Sequence, residues 1–157
     1  MLGLTIALAM IMSYIEALVP ISFAVPGIKM GLANIVIIFV LYKIGTKEAI
    51  LVSLIRVILV SLLFSNVMAM AYSIAGAVLC LSVMWILKKT DKFSFVGVSI
   101  AGGIMHNVGQ IIMAVILLGT EQIALYLPVL IITGTVTGVV IGIVSGLVIN
   151  RFRTIRL

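Results

Sequence analysis

Almost nothing in this chain is polar for long enough to face water. Six apolar segments, at roughly 2–19, 31–42, 49–64, 66–87, 95–118 and 125–150, take up about three quarters of its 157 residues. Only 9% of the residues are charged and 64% are hydrophobic, with a mean hydropathy of +1.47. A water-soluble domain carries about 25% charge, so these side chains cannot cover a surface in water. The reading is a multi-pass membrane protein of one domain, 1–157, all-α, with six transmembrane helices. The second segment is too short to cross about 30 Å of hydrocarbon at about 1.5 Å per residue unless its flanks join it. Residues 20–30 hold Pro20, Pro26 and Gly27 and predict a bent lead-in to that segment. Residues 1–19 lack a basic start and carry Glu16, so they read as a retained helix rather than a secretory signal.

The loops set the orientation. Lys43 and Lys47 follow the second segment, Lys88, Lys89 and Lys92 the fourth, and Arg151, Arg153 and Arg156 the sixth. With six spans, these regions share one side and hold eight of the ten basic residues. Positive residues stay on the cytoplasmic side, so both termini are expected there, in the cell membrane. The net charge of +6 therefore reads as topology and anionic headgroup contact, and no nucleic-acid partner is expected.

Against this background the embedded polar residues stand out: Glu16, Lys29, Asn34, Arg56, Asn66, His106, Asn107 and Gln110. Ionisable groups inside a bilayer are costly, so those present are paired, face the protein interior or line a site. By depth they gather in the middle and outer half of the membrane. Arg56, eight residues before Phe64, sits about 12 Å below the outer end of its helix. It needs an anion, carbonyls or water. Glu16 can supply a structural ion pair, or Arg56 can meet a ligand carboxylate or phosphate with Lys29 assisting. His106 and Gln110, four residues apart, share a helix face, with Asn107 displaced by about 100°. They form one wall of a pocket, or they hydrogen-bond neighbouring helices.

Other features have narrower meanings. Gly134, Gly138, Gly142 and Gly146 make a four-residue ladder with Thr133 and Thr137 beside it. Such a face packs closely on another helix, of this bundle or of another subunit. The only histidine and the only cysteine, Cys80, cannot build a zinc site, so no metal is expected. Four scattered acids cannot hold magnesium for prenyl diphosphate chemistry, and no phosphate-binding Gly-Lys-Ser/Thr loop occurs. No cofactor and no catalytic residue are expected, and ATP-driven work would belong to another chain.

Three stretches carry a resemblance. They are Pro26-Gly27-Ile28-Lys29-Met30-Gly31-Leu32-Ala33-Asn34-Ile35, then Ser73-Ile74-Ala75-Gly76 before a helix ending Lys88-Lys89, and Gly102-Gly103-Ile104-Met105-His106-Asn107-Val108-Gly109-Gln110. Together they resemble the Gx transporter family, also labelled heptaprenyl diphosphate synthase component I. More loosely, the chain is similar to the substrate-binding S components of energy-coupling factor transporters. That resemblance implies a six-helix bundle that takes a vitamin-like solute from outside. It also implies docking through small residues of the first helix, here Ala7, Ala9 and Ser13, onto a transmembrane coupling subunit with ATPase subunits.

The expectation is therefore a noncatalytic solute-binding membrane component for a small anionic or zwitterionic solute. Arg56 and Lys29 would meet negative groups. Glu16, Asn34, His106, Asn107 and Gln110 would supply hydrogen bonds or complementary charge. The competing expectations are an auxiliary membrane subunit of heptaprenyl diphosphate synthesis and a scaffold without a ligand.

Overall fold

A computed structural model describes residues 2–18, 31–64 and 66–151. Lys29 and the bent lead-in expected at 20–30 lie outside the described residues. Among those described there are six α-helices and no strand: α1 (Leu2–Leu18), α2 (Ala33–Lys43), α3 (Thr46–Phe64), α4 (Val67–Thr90), α5 (Phe95–Leu118) and α6 (Leu127–Arg151), with a 3-10 turn at Glu121–Tyr126 leading into α6. Three are long and apolar enough to cross a membrane: α4, α5, and the stretch Glu121–Arg151. At 11 residues α2 is the shortest helix, about 16 Å long.

Local chemistry explains where the helices start and stop. Asn66 caps α4, its side chain accepting from the Ala69 N–H at 2.8 Å. Asn66 is exposed, so this embedded-looking amide is spent on a helix end. Ser94 caps α5 in the same way through the Gly97 N–H. Gly119 ends α5 with a left-handed φ of 63°, a conformation that costs glycine little. Lys88 and Lys89 occupy the last turn of α4, where cations complement the helix dipole. Pro128 falls in the first turn of α6, where a missing N–H leaves no bond unmade.

The packing order differs from the chain order. Neighbouring contacts run α1–α3–α4–α5–α6–α2 and back to α1, closing a ring, and α2 also touches α3. Val40 and Leu41 of α2 are fully buried, and Ile37 and Ile38 nearly so. Side-chain contacts identify the ends that meet. Tyr42 of α2 packs edge-on against Phe95 of α5 with centroids 4.8 Å apart. Lys88 of α4 donates to the Leu41 carbonyl and lies over the Tyr42 ring. At the other end Tyr14 of α1 meets Phe64 of α3. The end of α2 that carries Lys43 is thus also the end of α4 that carries Lys88 and Lys89.

Glycine sets the closest approaches. A Cβ on Gly138 would lie 2.6 Å from the Ile100 Cα, and one on Gly142 2.6 Å from the Val96 Cα. One on Gly103 would fall 2.7 Å from the Gly134 carbonyl oxygen. Gly109 likewise meets the α4 backbone at Ala75 and Gly76. Helices α4, α5 and α6 therefore pack backbone to backbone, and Gly146 continues that face against the Phe95 ring. The outside of the bundle is apolar: Leu4, Leu8 and Ile11 of α1 and Ile132, Val136 and Leu147 of α6 are all exposed.

Candidate functional site

The embedded polar residues divide into two groups on different seams of the ring. The first lies where α1 meets α2 and α3. Glu16 Oε1 accepts from the Gly31 backbone N–H at 2.5 Å. Gly31 has a φ of 74°, a left-handed backbone that admits glycine with little strain. The carboxylate thus ties the end of α1 to Gly31, two residues before α2. On the same seam Arg56 Nη1 donates to Ser13 Oγ at 3.3 Å, a long and correspondingly weak bond. Arg56 is half-buried. Its Nε is shielded from solvent and has no hydrogen-bond partner among the described residues. Glu16 provides Coulombic attraction to the guanidinium.

The second group surrounds a cavity between α2, α4, α5 and α6. Its polar lining comes from Asn34 of α2, Ser99, His106 and Asn107 of α5, and Thr137 of α6. Ile38, Met84 and Ile141 give it an apolar side, and Gly31, Gly103 and Gly138 complete it. The free space is ≈ 20 Å³, enough for about one water molecule. Asn107 Nδ2 donates to the Leu130 carbonyl of α6 at 2.7 Å. That amide group links α5 to α6 at the wall of the cavity. Thr137 Oγ1 donates to the Thr133 carbonyl at 2.9 Å, leaving lone pairs that can accept. His106 touches α4 as well, because a Cβ on Gly76 would lie 2.9 Å from His106 Nδ1.

Asn34, His106 and Asn107 are thus brought together. Glu16 and Arg56 lie on the α1 seam, and Glu16 reaches the cavity wall through its bond to Gly31. Gln110 sits beside Gly76 of α4, one turn beyond His106, and does not line this cavity. Ala7 faces outward, whereas Ala9 and Ser13 are buried. Those three share no common outer face, because Ser13 is turned to Arg56. Ser99, Thr137 and Met84 are lining residues that sequence reasoning did not single out for binding. Thr137 had a signal, its place beside the glycine ladder. Ser99 and Met84 had none, since a serine or methionine in an apolar helix is ordinary packing.

Chemically, the cavity offers an imidazole, two amides and two hydroxyls on three helices, backed by aliphatic and thioether surface. That set can hydrogen-bond a small polar molecule. Among the described residues it presents no pair of carboxylates and no activated nucleophile.

No curated protein and no solved structure matches the chain. A family model does, that of heptaprenyl diphosphate synthase component I, over residues 5–148. The matched region runs from α1 to the last turns of α6 and includes both groups of embedded polar residues. The chain belongs to the heptaprenyl diphosphate synthase component I family, also known as the Gx transporter family.

Proposed function

We propose that this protein is a noncatalytic, multi-pass component of the cell membrane that binds a small polar solute from the outer side. The observation that carries this is the convergence of Asn34, His106 and Asn107, from two helices distant in sequence, on one small cavity within the bundle. Polar side chains are expensive in hydrocarbon, and a shared internal cavity is where a binding protein would keep them. In this reading all six helices span or enter the bilayer, and the end carrying Lys43, Lys88 and Lys89 is cytoplasmic. The apolar outer surface supports a lipid setting. Arg56 and Glu16 then serve as a supporting pair, or meet an anionic group of a solute larger than the cavity. Lys29, two residues before Gly31 in sequence, would meet a negative group of the solute. Transport would draw its energy from a transmembrane coupling subunit and ATPase subunits, with the exposed face of α1 around Gly3 and Ala7 as a docking surface.

The family's name supports a second reading, a noncatalytic membrane subunit of heptaprenyl diphosphate synthesis. A thermal-shift screen separates the two. The purified chain in detergent is heated with water-soluble vitamins and related solutes, one at a time. A solute that binds only the folded state at a hundred times its Kd adds about 2.7 kcal/mol of stability. The solute-binding reading expects at least one such stabiliser, whose effect is lost in His106→Ala. Absence of any stabiliser, with faster prenyl transfer when the chain is added to a catalytic prenyl synthase subunit, would favour the second reading.

A further inference from the structure

The cavity between α2, α4, α5 and α6 is far smaller than any vitamin-sized solute, so something must move before it can be filled. The way the two sides of the cavity are built indicates which side moves. One wall belongs to α4, α5 and α6, which meet backbone to backbone. Closest approaches at Gly103, Gly109, Gly138 and Gly142 leave no space for even a Cβ. Sliding or separating those helices would break many contacts at once, because close-packed interfaces do not deform gradually. The other wall is α2, which meets α6 through side chains such as Ile38 and Ile141 on either side of the cavity.

Helix α2 is also held unequally at its two ends. Its last turn is clamped to the α4–α5 unit: Lys88 donates to the Leu41 carbonyl, Lys88 lies 5.2 Å above the Tyr42 ring, and Tyr42 packs on Phe95. Its first turn borders the cavity at Asn34. Gly31, two residues before that turn, is hydrogen-bonded to Glu16 of α1 and meets α6 only by apolar contact with Ile141 among the contacts described. One end of α2 is therefore clamped to the α4–α5 unit, and the other end is hydrogen-bonded to α1.

We propose that α2 pivots about the Tyr42–Lys88–Phe95 cluster, so that its Asn34 end swings away from α5 and α6 and opens the cavity to a solute. Glu16 couples α1 to this movement through Gly31. The clamp residues are positioning residues: they touch no solute and fix the axis about which the site opens. The proposal rests on the reading of this cavity as the solute site, but the movement can be measured without knowing the solute.

The test is the rate at which N-ethylmaleimide labels single cysteines in the full chain in detergent, with Cys80→Ala removing the native thiol. Ile38→Cys and Val40→Cys probe two α2 positions that are 1% and 0% exposed. Both are buried, Ile38 on the cavity wall and Val40 away from it and nearer the charged end of the bundle, so the response of their rate ratio to loosening the clamp is the decisive reading. Pivoting predicts the reverse of fraying from that end: Ile38→Cys reacts faster by about tenfold or more, as expected when one end of an element opens locally. Adding Lys88→Met should raise the Val40→Cys rate and narrow the ratio. Equal rates, a faster Val40→Cys, or a ratio unchanged by Lys88→Met would overturn the proposal. If Ile38→Cys does not fold, Ile141→Cys and Ile149→Cys on α6 form a second pair, 5% and 6% exposed, with the same outcomes expected at the cavity and charged ends. Equal labelling alongside a confirmed solute stabilisation would reject the pivot and leave the binding function standing.

Discussion

Arg56 shows how a single side chain can be conspicuous in sequence and ambiguous in role. A guanidinium inside an apolar helix needs compensation. The structure supplies some of it, through Ser13 Oγ at 3.3 Å and the field of Glu16. Breaking one side of a partly buried pair leaves the other charge uncompensated, whereas replacing both sides by neutral groups is far milder. Arg56→Met should therefore destabilise the fold by about 1–3 kcal/mol. Adding Glu16→Gln should recover part of that loss, giving a coupling of about 1 kcal/mol in a double-mutant cycle of thermal unfolding in detergent. Strictly additive effects would show that the two side chains do not act as a pair. Asn66 carries the opposite lesson. In sequence it looks like one more amide at a membrane segment, yet it is a helix cap. The cap pattern, an Asn directly before an apolar run, was present to be read.

At the scale of helices, the glycine ladder of α6 does its work within the bundle. Sequence alone marked Gly134, Gly138, Gly142 and Gly146 as a close-packing face but could not name the partner, because a small-residue stripe has no directional chemistry. The partner is α5, met at Gly103, Ile100 and Val96. Gly138→Ala should therefore cost about 1–3 kcal/mol, since its Cβ would meet backbone rather than a yielding side chain. Gly3→Ala on α1 should be nearly silent, because nothing lies within 4 Å of its Cβ. Thermal unfolding of the two variants in the same detergent checks the contrast, and equal effects would contradict this packing. Six helices near the expected positions were legible from hydropathy, with ends shifted by a few residues. Their order around the ring was not, because every face of such helices is apolar and periodicity cannot tell inside from outside.

At the scale of the whole molecule, the two sides of the ring have different characters. The α4–α6 side is joined through glycine, and the α1–α3 side carries the ionisable residues Glu16 and Arg56. The cavity lies where the two sides meet. Sequence could place the polar residues at similar depth, but depth leaves rotation about each helix axis undetermined. That is why Asn34, His106 and Asn107 come together while Arg56 and Gln110 face other neighbours. Whether this seam holds a small polar solute can be read by native mass spectrometry of the full chain released from detergent. The wild type should carry a small-molecule adduct, retained by Arg151→Ala at the exposed charged end and lost in the Asn34→Ala, His106→Ala double variant. A wild type without any adduct, or an adduct held equally by all three proteins, would contradict binding there.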